Sequence, residues 1–206
     1  MIVLDRQHAG KPERPTDLGA HHDTDGDGLA ELHEHEAVWT AIYGLAAEMA
    51  LREKGYQVCP ISSGSYPERH RFVNERLPEA EVYVALHLNA GARRGRGYSA
   101  VFYDYRSAPD RGKALAEAIS GELSKIPEIG GQRRVWDTRN DTPATRWKRN
   151  AHSTIRGVDR AIGICYEPLF IDSSKHQPLF TLEGMQLIGE TLAAGIDKWV
   201  KSRGVA

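Results

Sequence analysis

The 206-residue sequence has only two cysteines, Cys59 and Cys165. Two thiols cannot staple a small scaffold, so a disulfide framework is excluded and both read as free core thiols. Long apolar runs are also missing. None approaches the ~18 residues that a membrane-spanning helix needs, so no membrane insertion is expected. The opening Met1-Ile2-Val3-Leu4-Asp5 lacks the basic stretch and apolar region of a secretory signal, which predicts synthesis in the cytoplasm. Net charge is nearly absent, at −1. Lysine and arginine are wholly absent from residues 17–36, which hold seven acids: Asp17, Asp23, Asp25, Asp27, Glu31, Glu34 and Glu36. The rest of the chain sets 27 basic against 21 acidic residues. Four histidines, His21, His22, His33 and His35, lie in the same acidic stretch. Carboxylate and imidazole concentrated in this way point to cations.

What remains is ordinary for a soluble globular chain, with 40% apolar and 27% charged residues. At ~150 residues per domain, the length predicts one domain spanning 1–206. Ile2-Val3-Leu4 reads as a short buried strand, and Asp5 to Gly28, rich in Gly, Pro, Asp and His, as loop. Val38, Ile42, Leu45 and Met49 recur at helical spacing, with Gly55 as the stop. That helix is expected to begin near Glu31. Residues 56–61 read as a strand and 68–77 as a short helix. Val82 to Leu88 alternates as a strand, with Val82, Val84, Leu86 and Leu88 on one face and Tyr83, Ala85, His87 and Asn89 on the other. Strands are also expected at 98–105 and 161–166. Helices are expected at 110–126, with Ala114, Leu115, Ala118, Ile119 and Leu123 buried, and at 182–202. The last would bury Met185, Ile188, Leu192, Ile196 and Trp199 or Val200. Residues 127–150 read as irregular. Strands alternating with helices predict an α/β fold: a single domain with a mostly parallel twisted sheet flanked by helices on both faces.

Four segments carry a resemblance. They are Ile2 to Gly10 with His8 after a strand, Glu36 at the start of the helix ending near Gly55, Ala85 to Ala90 around His87, and Ile164 to Ser173 around Glu167. In this order they resemble the zinc-dependent N-acetylmuramoyl-L-alanine amidases of the amidase-3 family. Glu68-Arg69-His70-Arg71 with Asn74 adds a smaller echo. The resemblance implies that His8, Glu36 and His87 bind catalytic zinc and that Glu167 is the catalytic carboxylate. Two histidines and one glutamate are a well-used zinc set that leaves a fourth position for water. Such an ion lowers the pKa of bound water to ~7, and a second carboxylate then moves its proton. His87, flanked by Leu86 and Leu88, needs a partner whatever its role. Glu34 competes with Glu36; counting back from Gly55 to the family's glutamate favours Glu36. The chain departs from the family at Arg6-Gln7, Lys11 and Leu88, which bears on substrate preference.

Asp23 to Glu34 matches the twelve-residue calcium loop at each key position. Asp23, Asp25, Asp27, Glu31 and Glu34 supply carboxylates, Leu29 a backbone carbonyl, and Gly28 the tight turn. Calcium bound there would fix the start of the helix that aims Glu36. His21, His22, His33 and His35 stay unassigned and are expected to face solvent.

The resemblance thus implies a peptidoglycan hydrolase cleaving the amide between N-acetylmuramic acid and L-alanine, acting as a monomer. With no signal and no room for a wall-binding domain, it is similar to a single-domain phage endolysin reaching the wall after membrane permeabilisation. A bacterial autolysin is the runner-up. A zinc peptidase acting within the stem peptide and an inactive wall-binding module remain the rival readings. Arg93, Arg94 and Arg96 are candidates for approach to anionic wall polymers. Arg133, Arg134, Arg139, Arg146 and Arg149 form no regular basic helix and no stacking motif, so no nucleic-acid partner is expected.

Overall fold

A computed structural model describes residues 1–8, 14, 16–91, 98–130, 133–138 and 153–204. Its centre is a six-stranded sheet in the order β2-β1-β3-β6-β4-β5. The strands are β1 (Ile2–Arg6), β2 (Val58–Ile61), β3 (Val82–Leu86), β4 (Ser99–Tyr103), β5 (Arg133–Asp137) and β6 (Ile162–Glu167). β1, β2, β3 and β6 run parallel, whereas β4 pairs antiparallel with β6 and carries β5 alongside it in parallel. Among the described residues, the long helices that flank the sheet are α1 (Glu36–Glu53), α2 (Tyr66–Arg76), α3 (Pro109–Leu123) and α4 (Leu182–Arg203). No helix among the described residues is long and apolar enough to cross a membrane.

Strand alternation sorts the core into two layers. Ile2, Leu4, Val82, Val84, Leu86, Val101, Ile162 and Ile164 pack with residues of α1, α3 and α4. Val3, Tyr83, Ala85, Ala100, Phe102 and Cys165 face the other way, toward Val73 of α2 and Ile155 and Val158 of the 153–159 segment. A period of two dictates this division, because successive side chains leave opposite faces of a strand. Both cysteines are free, Cys165 buried and Cys59 half-buried.

Local signals start the helices. Ser65 and Glu68 form a reciprocal capping box at α2, with the Ser65 amide donating to Glu68 Oε2 at 2.8 Å. Thr181 Oγ1 accepts the Gly184 amide at 3.0 Å and caps α4.

Three expectations need correction. The row Val38, Ile42, Leu45 and Met49 is not the buried face of α1: Val38 and Ile42 are only partly buried. That face is Glu36, Thr40, Tyr43, Gly44, Ala47 and Leu51, while Leu45 and Met49 are half exposed. The reason is close approach: α4 crosses α1 at Gly189, where a Cβ would fall on the Tyr43 carbonyl and meet Ala46 and Ala47. Small residues therefore face inward. In α3, Ala114 is exposed and Ala116 takes its place in the core. Residues 133–137, read as irregular, form β5, an edge strand whose side chains need little apolar character.

Candidate metal centre

The parallel strands end at one rim, and three of the four segments that carry the resemblance end there. His8 lies two residues beyond β1, His87 directly follows β3, and Glu167 closes β6. Glu36 is the first residue of α1, where the positive end of the helix dipole favours a carboxylate. In open α/β sheets this carboxyl rim is where sites assemble.

His8, Glu36 and His87 form a group of potential ligands. His8 Nε2 and His87 Nδ1 are 3.1 Å apart. Glu36 Oε1 is 3.0 Å from His87 Nδ1 and 3.3 Å from His8 Nε2. A zinc ion with bonds of about 2.0–2.1 Å sets tetrahedral ligand atoms about 3.3 Å apart, so the triangle has the right size. Glu36 and His87 are buried, at 2% and 8% exposure, which holds their geometry.

Backbone and side-chain contacts aim each group. Glu36 Oε1 accepts the Leu88 amide at 2.7 Å and Oε2 the Ala20 amide at 2.9 Å. Tyr43 donates its hydroxyl to the His87 carbonyl at 2.9 Å. His8 Nδ1 lies 3.3 Å from Asp17 Oδ1, so Asp17 can hold the proton there and leave Nε2 a lone pair. Gly19 closes over the pair: a Cβ on it would lie 2.5 Å from Glu36 Oε2 and 2.8 Å from His8 Cγ, and its φ of +81° suits glycine. His87 Nε2 is buried with no hydrogen-bond partner among the described residues.

The charge states fit a cation. Burial pushes the Glu36 carboxyl up, but His8 and His87 outweigh it and hold Glu36 well below the usual range. Burial lowers the pKa of His87, which keeps the imidazole neutral. Two imidazoles and a carboxylate, converging from three elements, are donors that a divalent ion would satisfy together. Zinc suits this mixed nitrogen and oxygen set.

Glu167 stands beside the triangle on the neighbouring strand. The His87 amide donates to the Tyr166 carbonyl at 3.0 Å, and Asn89 continues the pairing to Leu169 and Ile171. Asn89 Nδ2 donates to Glu167 Oε2 at 2.8 Å. Burial, then the Glu36 carboxylate, pushes the Glu167 carboxyl up to about 8. Beneath His8, the buried Asp5 carboxylate is bound by Arg69, Tyr83 and Gln7. The sequence reading gave no role to Asp17, Asn89 or the Asp5–Arg69 pair.

In the acidic loop, Asp23, Asp25 and Asp27 converge, and so do Asp25, Glu31 and Glu34. Asp23 Oδ2 accepts the Gly28 amide at 2.9 Å, and Gly28 has a φ of +84°. The exposed Leu29 donates its amide to Asp27 Oδ1 at 2.7 Å. Glu34 lies in a 3-10 turn (Leu32–Glu34) that an extended His35 separates from α1, which corrects the expected helix start near Glu31. Its carboxylate is bonded by Thr24, whose hydroxyl and amide hold its pKa down to about 2. Glu34 thus turns away from the triangle, and Glu36 is the one that enters it. His21 bridges to His35, with ring centroids 5.5 Å apart. His21 and His33 are exposed, His22 and His35 half-buried, and none joins the triangle. Arg93, Arg94, Arg96, Arg139, Arg146 and Arg149 lie outside the described residues. Arg134 stacks over Tyr98, 4.7 Å from the ring centroid.

No protein-family model and no curated sequence matches the chain. Solved structures do. The N-acetylmuramoyl-L-alanine amidase AmiC2 of Nostoc punctiforme superposes with a TM-score of 0.71 at 19% identity, over 97% of this chain and 96% of that one. This chain shares the amidase fold. The CwlD amidase of Clostridioides difficile, solved with the GerS lipoprotein, gives 0.73 at 18% identity over 98% of both chains. The catalytic domain of the CD27L endolysin, targeting Clostridia difficile, gives 0.58 at 16% identity over 96% of both. The α/β architecture and its mixed, largely parallel sheet are therefore those of these enzymes.

Proposed function

We propose that this protein is a zinc-dependent N-acetylmuramoyl-L-alanine amidase, a peptidoglycan hydrolase whose chain forms one catalytic domain. The observation that carries the reading is the triangle of His8 Nε2, Glu36 Oε1 and His87 Nδ1, at 3.0–3.3 Å, on the rim of an amidase fold. His8, Glu36 and His87 would hold the zinc, which supplies Lewis acidity to a carbonyl and acidity to bound water. Glu167 is the proton carrier. A carboxyl with a pKa of about 8 exchanges protons near neutral pH, which suits both accepting a proton from water and passing it to the departing amine. Asn89 fixes Oε2 of Glu167, while Oε1 has only the weak Cys165 thiol contact at 3.8 Å, which the transfer would displace. Asp17 keeps His8 in the tautomer whose Nε2 points inward.

Calcium is the proposed structural ion of the 23–34 loop, supported by its two overlapping carboxylate groups. The endolysin among the similar structures supports action at the bacterial wall.

Digestion of purified peptidoglycan tests the reading. New amino termini should be L-alanine. Termini further along the stem would make the protein a peptidase, and none at all would make it an inactive module. Glu167→Gln should abolish lysis while elemental analysis still finds zinc. Full lysis by that variant would remove Glu167 from the chemistry.

A further inference from the structure

A groove of about 820 Å³ runs between α2 and the 153–159 segment. Its two walls are tied together. His70 Nε2 is 2.9 Å from the Thr154 carbonyl oxygen, and Asn74 Nδ2 donates to the Gly157 carbonyl at 2.9 Å and to Asp159 Oδ2 at 3.0 Å. Gly157 lies so close to His70 that a Cβ would fall on the imidazole. The groove is thus a built feature of the fold.

One end of it lies toward the carboxyl rim, since α2 begins at Tyr66, just after β2 ends at Ile61. Arg69, in the first turns of α2, donates to the Arg6 carbonyl at 2.9 Å, two residues before His8. Tyr66, at the start of α2, lines the groove and feels the Glu36 and Asp17 carboxylates, which add to burial in raising its phenol.

The walls carry an uneven set of charges. Arg106 is neutralised by Asp104, 2.9 Å away, and bonded to the Arg156 carbonyl. Asp159 is engaged by Asn74. The exposed guanidinium groups of Arg71 on α2 and Arg156 on the opposite wall make no ion pair among the described residues. Glu68, the acid nearest Arg71 along its helix, is engaged by the Ser65 cap. Glu75 adds one acid a helical turn further along α2.

We propose that this groove binds the acidic peptide arm of the substrate, with Arg71 and Arg156 as its carboxylate contacts. The inference rests on the amidase reading for what lies at the metal end. On one side of that scissile amide is an uncharged glycan, and on the other a peptide that carries carboxylates. Two guanidiniums facing one channel complement the second and have nothing to pair with in the first. Glu75 lies where an amine further along such a peptide would be received. The groove would select substrates by the length and charge of their stem.

The test uses the free peptide L-Ala-γ-D-Glu-L-Lys, whose binding needs no hydrolysis. Calorimetry should show binding to the wild-type protein. Arg71→Glu with Arg156→Glu should weaken it by about tenfold or more, while the double Lys variant stays near wild type. On muramoyl-tripeptide the double Glu variant should raise KM and leave kcat unchanged. On N-acetylmuramoyl-L-alanine, which has no acidic residue beyond the alanine, KM should not move. The inference is overturned if wild-type protein does not bind the peptide, if charge reversal leaves binding intact, or if polyglycerol phosphate binds the groove in its place. Peptide binding without release of L-alanine termini would sink the amidase reading and leave the groove standing. Amidase activity indifferent to both arginines would do the reverse.

Discussion

Glu167→Gln changes how stability depends on pH, and the size of the change follows from the surroundings of the carboxyl. Burial first, and the Glu36 carboxylate second, raise its pKa from 4.5 to about 8. Between those values the unfolded chain releases the proton and the folded protein keeps it. Stability therefore falls as pH rises through this window and levels off above about 8. Worked from the two values, the group alone removes about 4 kcal/mol between pH 5 and pH 9. Glutamine has no proton to lose, and its carbonyl can still accept the Asn89 amide. The assay is urea unfolding of both proteins in chelator at pH 5, 7 and 9, read as wild type minus variant. The difference cancels every other titrating group. It should move against the wild type by about 4 kcal/mol across the range. A difference constant to within about 1 kcal/mol would show that the carboxyl ionises normally, and the proton-carrier argument would lose its basis.

Other perturbations reach other links in the chain of reasoning. Asp17→Asn should weaken zinc binding by about 10- to 100-fold in a chelator competition, because His8 loses the partner that sets its tautomer; undiminished affinity would refute that role. Calcium at about 100 times its dissociation constant should add about 2.7 kcal/mol to chelated protein, a rise of about 5–10 °C in Tm. Asp25→Asn, which touches both carboxylate groups of the loop, should erase that rise, and a Tm indifferent to calcium would remove the ion from the loop. Gly189→Ala should cost at least about 1–3 kcal/mol in urea unfolding, since its methyl would meet the Tyr43 carbonyl and Ala46. A neutral result would mean that α1 and α4 are not locked at that crossing.

The parts legible in the sequence are those governed by short periods. Alternation through Val82 to Leu86 sorts the strand correctly between the two core layers. The inward row of α4, from Met185 to Trp199, follows the helical period. α1 misled because hydrophobicity and burial part company there: Gly44 lies against Leu86 and Ala47 against Gly189, and the larger Leu45 and Met49 turn outward. β5 escaped notice because an edge strand with Arg133 and Arg134 has no apolar alternation to detect. Within the site, the ligand types could be matched to a family pattern. Their supports could not, because Asn89 meets Glu167 across 78 residues and Arg69 meets Asp5 across 64. Nothing local in either segment announces such a partner.

The choice between Glu34 and Glu36 shows how the fold decides what spacing leaves open. Two residues apart, both carboxylates fit one helix by spacing alone. Instead His35 is extended, with φ −95° and ψ 144°, and breaks the chain between them. Before the break, Glu34 is drawn back to Thr24 and Glu31. After it, α1 starts without a side-chain cap; the Glu36 and Ala37 amides donate to the Ala20 and Leu18 carbonyls at 2.8 and 3.0 Å. The His22 amide in turn donates to the Glu34 carbonyl at 3.2 Å. The strand of chain that leads into the acidic loop is therefore also the cap of the helix that presents Glu36. Seven carboxylates in residues 17–36 repel one another, so a cation bound in the loop would also settle that cap. Order at Asp23–Glu34 and aim at Glu36 are two ends of one short hydrogen-bonded strap, which couples the loop to the His8–Glu36–His87 triangle although none of its side chains enters it.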